Sequence, residues 1–197
     1  MTIGILAYGS LIGNPGNEIK NATENRIRNV KTPFKVEFAR SSTGRDGAPT
    51  LIPVEDGGAY VNAVIFVLKE HVTEKEAKDM LYRREMNKVG SQSEYSPPEN
   101  PGPNNVLVEE VDDFYGVDKV FYTKIGANID DLTPQDLAKL AIESAKEGAE
   151  KRDGISYLIN AKKNGVRTPL MPEYEKEILR QTGTQSLEEA WETLVHH

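Results

Sequence analysis

The sequence predicts an α+β fold: a mostly antiparallel sheet or small barrel of about six strands, with helices at its periphery. Strand-like runs separated by glycine turns favour antiparallel connections. Helical spacing of apolar residues follows two N-terminal capping signals, at Thr73 and at Thr133-Pro134. The chain has 197 residues, a length that lets one domain bury a sizeable core. We therefore expect residues 1–197 to form a single domain.

The predicted strands are short and bounded by turns. The first is an apolar run that ends at Gly9-Ser10, and the second alternates apolar and polar residues. The next two flank Asp56-Gly57-Gly58, whose glycines permit a tight hairpin, so we expect them to pair antiparallel. The last two flank Tyr115-Gly116 in the same arrangement. The six runs are 3–8, 33–40, 50–54, 59–68, 106–111 and 119–125.

Two helices have clear starts. Thr73 and Glu76 have the spacing of a capping box, and Thr133-Pro134 begins the second helix. Residues 88–105 are rich in proline and glycine, which predicts a long loop, either a binding-site lid or a surface insertion. Shorter helices are predicted at 154–163, 173–181 and 186–195.

Composition excludes several classes of protein. A formal net charge of -7 argues against a sequence-independent nucleic-acid binder, which needs a basic surface. The absence of cysteine excludes disulfides and thiolate metal sites. No run approaches the roughly 18 apolar residues of a membrane helix, and the first residues lack the basic region of a signal peptide. We expect a cytoplasmic protein without nucleic-acid or membrane partners, and its oligomeric state stays open.

Neither a cofactor nor a metal is expected. Gly9, Gly13 and Gly16 match neither a P-loop nor the dinucleotide-binding spacing. The only histidine outside the closing pair His196-His197 is His71. A histidine-based triad or a multi-histidine metal site therefore lacks the necessary residues.

Glu85 is the first candidate for chemistry. It follows Ala77 and Leu81 at steps of four, so it drifts only about 40° per step from the stripe that faces the core. We expect its carboxylate to point inward or into a rim. Partial desolvation raises the pKa of a carboxyl group and makes it a better proton acceptor near neutral pH. The ordinary alternative is a solvated carboxylate paired with Arg83 or Arg84.

The junction Tyr8-Gly9-Ser10-Leu11 is the second candidate. Gly9 lets the backbone turn sharply after the first strand, which exposes the consecutive amides of Ser10 and Leu11. Such a pair of amides can hold a carboxylate. The alternative is an ordinary turn after a buried strand.

These features together resemble the gamma-glutamyl cyclotransferase-like family. The resemblance is carried by the first-strand turn combined with Arg84-Glu85 on a downstream helix, and it extends over most of the chain. The stretch 165–174 looks like bacterial members of unknown substrate. Further matching segments are 49–53, Gly57-Gly58, 61–68 and 153–158.

The resemblance implies a small mixed barrel with helices outside and a cofactor-independent cyclotransferase. In that family the turn binds the γ-glutamyl part of the substrate through backbone amides, here those of Ser10 and Leu11 within Tyr8-Gly9-Ser10-Leu11. The helix glutamate, here Glu85, moves a proton. The partner would be a small γ-glutamyl compound, released as 5-oxoproline and a free amine.

Two more residues are candidates for substrate binding. Arg40, at the end of a strand, can hold the α-carboxylate in a bidentate fork, although a solvated rim position is the common alternative. Tyr122 can point its hydroxyl into the pocket, or it can pack in the core with that hydroxyl satisfied. Tyr95, in the long loop, is a weaker candidate.

Two alternatives remain open from the sequence. One is a binding module that holds a small carboxylate with the same turn and performs no chemistry. The other is a relative that releases a different amine, from an antibiotic precursor or from a protein-attached group.

Overall fold

A computed structural model of the chain describes residues 1–147 and 152–195, so His196-His197 lies outside the described residues. The chain divides into two compact units. The first contains Met1–Thr32 and Asn62–Gly126. The second contains Pro33–Val61 and the described residues from Ala127 onward. The assignment of residues 1–197 to a single domain stays a prediction.

The described residues form an α+β structure with seven strands and seven α-helices. The strands are β1 Ile3–Ala7, β2 Thr23–Lys31, β3 Lys35–Ser42, β4 Ala48–Val54, β5 Asn62–Leu68, β6 Leu107–Phe114 and β7 Val117–Lys124. The helices are α1 Ser10–Gly13, α2 Gly16–Ala22, α3 Glu74–Glu85, α4 Pro134–Glu147, α5 Gly154–Lys163, α6 Met171–Thr182 and α7 Leu187–Val195.

The first unit is built on a five-stranded sheet in the order β2-β5-β1-β7-β6. Every neighbouring pair is antiparallel except β1 and β7, which run parallel. The edges β2 and β6 are not joined by a ladder among the described residues. One hydrogen bond nevertheless links the end of β2 to the β6–β7 turn, from the Lys31 amide to the Tyr115 hydroxyl at 3.2 Å. The mixed, mostly antiparallel sheet is confirmed, and its closure into a barrel stays a prediction.

Helix α3 covers one face of this sheet. Thr73 and Glu76 form the predicted capping box, which satisfies amides at the start of the helix. Ala77 and Leu81 are fully buried and belong to the same apolar cluster as residues of β1, β5 and β7. Burial of this apolar surface, worth about 25 cal/mol per Å², fixes α3 against the sheet.

The second unit combines a hairpin with four helices. Strands β3 and β4 pair antiparallel, and α4, α5, α6 and α7 belong to the same unit. The Glu37 carboxylate in β3 is 2 % exposed and accepts from the Thr168 hydroxyl at 2.6 Å and from the Leu170 amide at 3.2 Å. It therefore fastens the segment before α6 to β3.

Asp153 organises the helices of the second unit. Its carboxylate caps α5 by accepting from the amide and the hydroxyl of Ser156, both at 2.8 Å. It also accepts from the indole of Trp191 at 2.9 Å, which ties α7 to α5. Asp153, in the stretch 153–158 that carries part of the resemblance, therefore holds helices α5 and α7 together.

Most predicted elements are confirmed, but one pairing is wrong. The runs on either side of Gly57 and Gly58 were expected to form a hairpin, yet β4 pairs with β3, whereas β5 pairs with β1 and β2. Both glycines have positive φ. A Cβ at Gly58 would lie 2.8 Å from the Val36 carbonyl oxygen. The glycine therefore permits close backbone approach to β3 instead of a reversal into a paired strand.

Strand β2 was not expected from the sequence. Most of its residues are exposed, and its pairing with β5 is interrupted by two register shifts. An exposed and irregular edge strand carries no apolar alternation, which is the signal that predicts strands.

Candidate active site

The chain bends sharply at Gly9, where β1 ends. Gly9 has φ 63° and ψ -134°, a conformation open to glycine and costly for residues with a Cβ. The residues that follow, Ser10 and Leu11, form the first turn of α1, whose start has no side-chain cap. Amides in a first helical turn have no acceptor within the helix. The predicted bend is confirmed, and the role of the two amides stays a prediction.

Tyr8 and Tyr122 lie at the same end of the sheet. The Tyr8 hydroxyl donates to the carbonyl of Thr123, which follows Tyr122 in β7. Tyr122 is half-buried, and its neighbour Phe121 belongs to the core under α3. Because side chains alternate along a strand, Tyr122 points to the opposite face of the sheet. Burial, together with nearby Glu109, raises the pKa of Tyr122, so its hydroxyl is protonated at neutral pH.

Glu85 is the last residue of α3. Ala77 and Leu81, which precede it on the same stripe, are fully buried, whereas the Glu85 side chain is 30 % exposed. The carboxylate therefore lies in a rim at the end of the core-facing stripe, as the sequence spacing predicts.

The C-terminal end of α3 is attached to the segment after the Gly9 bend. Arg84 donates from Nε to the Asn14 carbonyl at 2.7 Å, and its Nη1 lies 4.0 Å from Glu85 Oε1. Arg83 donates from Nε to both carboxylate oxygens of Glu18 in α2, at 3.1 and 2.9 Å. Two successive arginines thus hold this end of the helix against α1 and α2. The sequence offered both as ion-pair partners of Glu85; Arg84 faces Glu85 at 4.0 Å, whereas Arg83 pairs with Glu18.

Arg40 belongs to the second unit. It lies in β3, opposite Thr50 of β4, whose hydroxyl donates to the Arg40 carbonyl. The Arg40 side chain is half-buried, and the loss of water around it lowers the pKa of the guanidinium from its ordinary value. Its predicted role toward a carboxylate stays a prediction.

The loop 88–105 is irregular, as predicted, and its first half runs along α3. Arg83 donates to the Ser93 carbonyl at 2.9 Å, and the Tyr95 amide donates to Asp79 at 2.7 Å. The Tyr95 hydroxyl accepts from the Val108 amide at 3.0 Å. Tyr95 is therefore an anchor of the loop to α3 and β6.

The loop is also held near its other end. Gly126 donates from its amide to the Pro103 carbonyl at 2.9 Å, and Asn105 closes a turn onto Gly102 at 3.1 Å. Among the residues that the structure describes, none makes such a backbone contact with the stretch 96–101.

Within residues 1–147 and 152–195, no group of three or more histidine, aspartate or glutamate side chains is arranged to hold a metal ion. None of the helices in the described ranges is both long and apolar enough to cross a membrane.

No protein-family model matches the sequence, and no curated protein matches it significantly. The resemblance to gamma-glutamyl cyclotransferases therefore rests on the motifs at Tyr8-Gly9-Ser10-Leu11 and Arg84-Glu85 and on the further segments quoted above.

Proposed function

We propose that the protein is a cyclotransferase that converts a γ-glutamyl amine or peptide into 5-oxoproline and a free amine, with Glu85 as general acid and base. The observation that carries this proposal is the attachment of the Glu85 end of α3 to the segment that follows the Gly9 bend. The carboxylate to which we assign proton transfer and the turn to which we assign substrate binding then belong to one part of the fold.

The reaction needs no nucleophile from the protein. The substrate's α-nitrogen attacks its own γ-carbonyl carbon, a new C–N bond closes the five-membered ring, and the bond to the leaving nitrogen breaks. The α-ammonium gives up two protons overall, and the leaving amine takes up two and departs as an ammonium ion. Glu85 accepts a proton from the α-ammonium and returns one to the leaving nitrogen.

Orientation is the main contribution asked of the protein. Holding a flexible γ-glutamyl chain in a conformation close to attack can supply about 7–11 kcal/mol of the barrier. Under the proposal, the amides of Ser10 and Leu11 hold the γ-glutamyl part within Tyr8-Gly9-Ser10-Leu11. Tyr122, at the same end of the sheet as Tyr8, is assigned to a remaining polar group of the substrate, and no cofactor is involved.

The proposal includes a fold of the gamma-glutamyl cyclotransferase-like type. A gamma-glutamyl cyclotransferase-like fold is a small mixed barrel, and the bond between Lys31 and Tyr115 supports a sheet curled in that direction. The parallel pair β1 and β7 within an otherwise antiparallel sheet agrees with a mixed arrangement.

Glu85→Gln tests the assignment directly. The variant keeps the shape of the side chain and removes its capacity to carry the proton, so we expect normal folding and no release of 5-oxoproline from any γ-glutamyl amine or peptide tried. Glu74→Gln is the matched control, because Glu74 lies on the same helix in a partly exposed pair with Lys119 at 3.5 Å. Full activity of Glu85→Gln would remove Glu85 from the mechanism.

The same panel of compounds separates catalysis from binding alone. Thermal stabilisation of the wild-type protein by γ-glutamyl compounds, without 5-oxoproline formation, would replace the enzyme by a module that holds a small carboxylate. Substrates that differ only in the leaving amine would identify the amine that the protein releases.

A further inference from the structure

We propose that Arg84 is a positioning residue that fixes the Glu85 carboxylate relative to the Gly9 bend. The inference rests on the proposed function of Glu85 and adds a residue to which that function assigns no role. Arg84 acts through Glu85 and does not itself transfer a proton.

Arg84 contacts both parts of the candidate site. Its Nε donates to the Asn14 carbonyl at 2.7 Å, and its Nη1 lies 4.0 Å from Glu85 Oε1. The side chain is only 12 % exposed, which reduces the screening of its charge by water. The hydrogen bond to Asn14 fixes the planar guanidinium, and with it the positive charge that faces the Glu85 carboxylate at 4.0 Å.

The contact at Asn14 extends to the bend itself. The Asn14 amide donates to the Ser10 carbonyl at 3.0 Å, which closes the single turn of α1. Ser10 directly follows Gly9. A short sequence of contacts therefore runs from the bend through Ser10, Asn14 and Arg84 to the carboxylate of Glu85.

The aliphatic part of Arg84 is also packed in place. A Cβ built on Gly16 would lie 3.4 Å from Arg84 Cδ and 3.2 Å from Val89 Cγ2. Gly16 has φ 79°, which favours glycine there. The arginine stem thus lies against the start of α2, and this restricts the guanidinium to a small region.

Arg83 provides a control within the same helix. It is 14 % exposed, close to the 12 % of Arg84, and it also attaches α3 to α2, through Glu18. Its contacts run to Glu18 and Ser93. Loss of Arg83 should therefore weaken the attachment of the helix without removing the contact between Arg84 and Glu85.

The experiment compares Arg84→Gln, Arg84→Lys and Arg83→Gln in the full chain. We expect Arg84→Gln to lower kcat for a γ-glutamyl substrate by about tenfold to a hundredfold, because a misplacement of about 1 Å can cost that much. KM should change less than kcat, since the substitution leaves the amides of Ser10 and Leu11 in place to bind the substrate. Arg84→Lys should restore part of kcat, and Arg83→Gln should stay within about threefold of wild type at a temperature where it is folded.

Crystal structures of the wild-type protein and Arg84→Gln give a readout that needs no activity. We expect the Glu85 carboxylate to lose its wild-type position when Arg84 is replaced. An unchanged carboxylate position would overturn the inference, as would unchanged kcat in Arg84→Gln or an equal loss of kcat in Arg83→Gln. Failure of the wild-type protein to form 5-oxoproline would instead overturn the proposed function, and the crystal structures would still decide the role of Arg84.

Discussion

The Tyr8 hydroxyl donates a hydrogen bond of 2.8 Å to the carbonyl oxygen of Thr123. This contact joins the ends of β1 and β7, the parallel pair of the sheet. It fixes the residue just before the Gly9 bend and places it beside the end of the strand that carries Tyr122.

Tyr8→Phe should destabilise the protein by about 1 kcal/mol, because it leaves a half-buried carbonyl without its donor. Urea denaturation of the variant and the wild-type protein measures the difference. Tyr115→Phe is the comparison, since Tyr115 is 50 % exposed and water can replace the bond that it accepts from Lys31. Equal effects of the two variants would contradict a specific contribution of Tyr8.

Asp79→Asn should release the first half of the loop 88–105. Asp79 is 5 % exposed and accepts from the Lys75 ammonium at 2.9 Å and the Tyr95 amide at 2.7 Å. Loss of the charge weakens both hydrogen bonds, each worth about 1.5–3 kcal/mol when one partner is charged. Faster hydrogen exchange at the Tyr95 amide is the expected result. Lys75→Met should have a smaller effect, because Lys75 is 64 % exposed.

The same anchor should respond to acid. Burial acts to raise the pKa of Asp79, but the hydrogen bonds from Lys75 and Tyr95 outweigh it, so the pKa lies below its ordinary value. A lowered pKa in the folded state contributes stability above the unfolded value of about 3.9, and this contribution is lost as the pH falls further. Protection of the Tyr95 amide should therefore be constant from neutral pH to about pH 5 and decrease below about pH 4. Constant protection down to pH 2 would contradict this account.

Glu37→Gln should destabilise the second unit by about 2–3 kcal/mol. The buried carboxylate accepts from Thr168, Leu170 and the Phe38 amide. An amide group in its place presents an NH₂ donor toward some of these donors, so at least one bond is lost. Thermal unfolding measures the change, and Glu173→Gln, in an exposed pair with Lys176, should leave stability within about 0.5 kcal/mol.

Tyr174→Phe should be neutral or stabilising by up to about 1 kcal/mol. Within the described part of the chain, the Tyr174 hydroxyl is buried without a hydrogen-bond partner. Its removal relieves the cost of burying a polar group and keeps the edge contact between the ring and Phe38, at 5.4 Å between centroids. A loss of more than 1 kcal/mol in urea denaturation would show that this hydroxyl makes a stabilising contact.

Local signals in the sequence predicted most of the elements. The capping box at Thr73, the turn at Tyr115-Gly116 and the first strand each have a short-range cause, and each is confirmed. No short-range signal determines which strands pair with β5. Glycines at 57 and 58 permit a turn but do not select the strand that pairs next, because pairing depends on packing between residues distant in sequence.

The candidate site was predictable only in part. Four-residue steps along α3 were sufficient to place Glu85 in a rim, and the glycine at position 9 was sufficient to predict the bend. The contacts of Arg84 with Asn14 and of Asp79 with Tyr95 join distant segments through single side chains. No periodicity or turn signal specifies such pairs.

The contacts of the loop 88–105 with α3 limit the conformational change that the loop can undergo. Ordering a residue costs about 1–2 kcal/mol of backbone entropy, so the number of unanchored residues sets the cost of any rearrangement. In this loop the residues that would have to be ordered are 96–101, between the anchor at Tyr95 and the turn at Gly102. Proline at positions 97, 98 and 101 reduces this cost further, because its ring restricts φ before any rearrangement takes place.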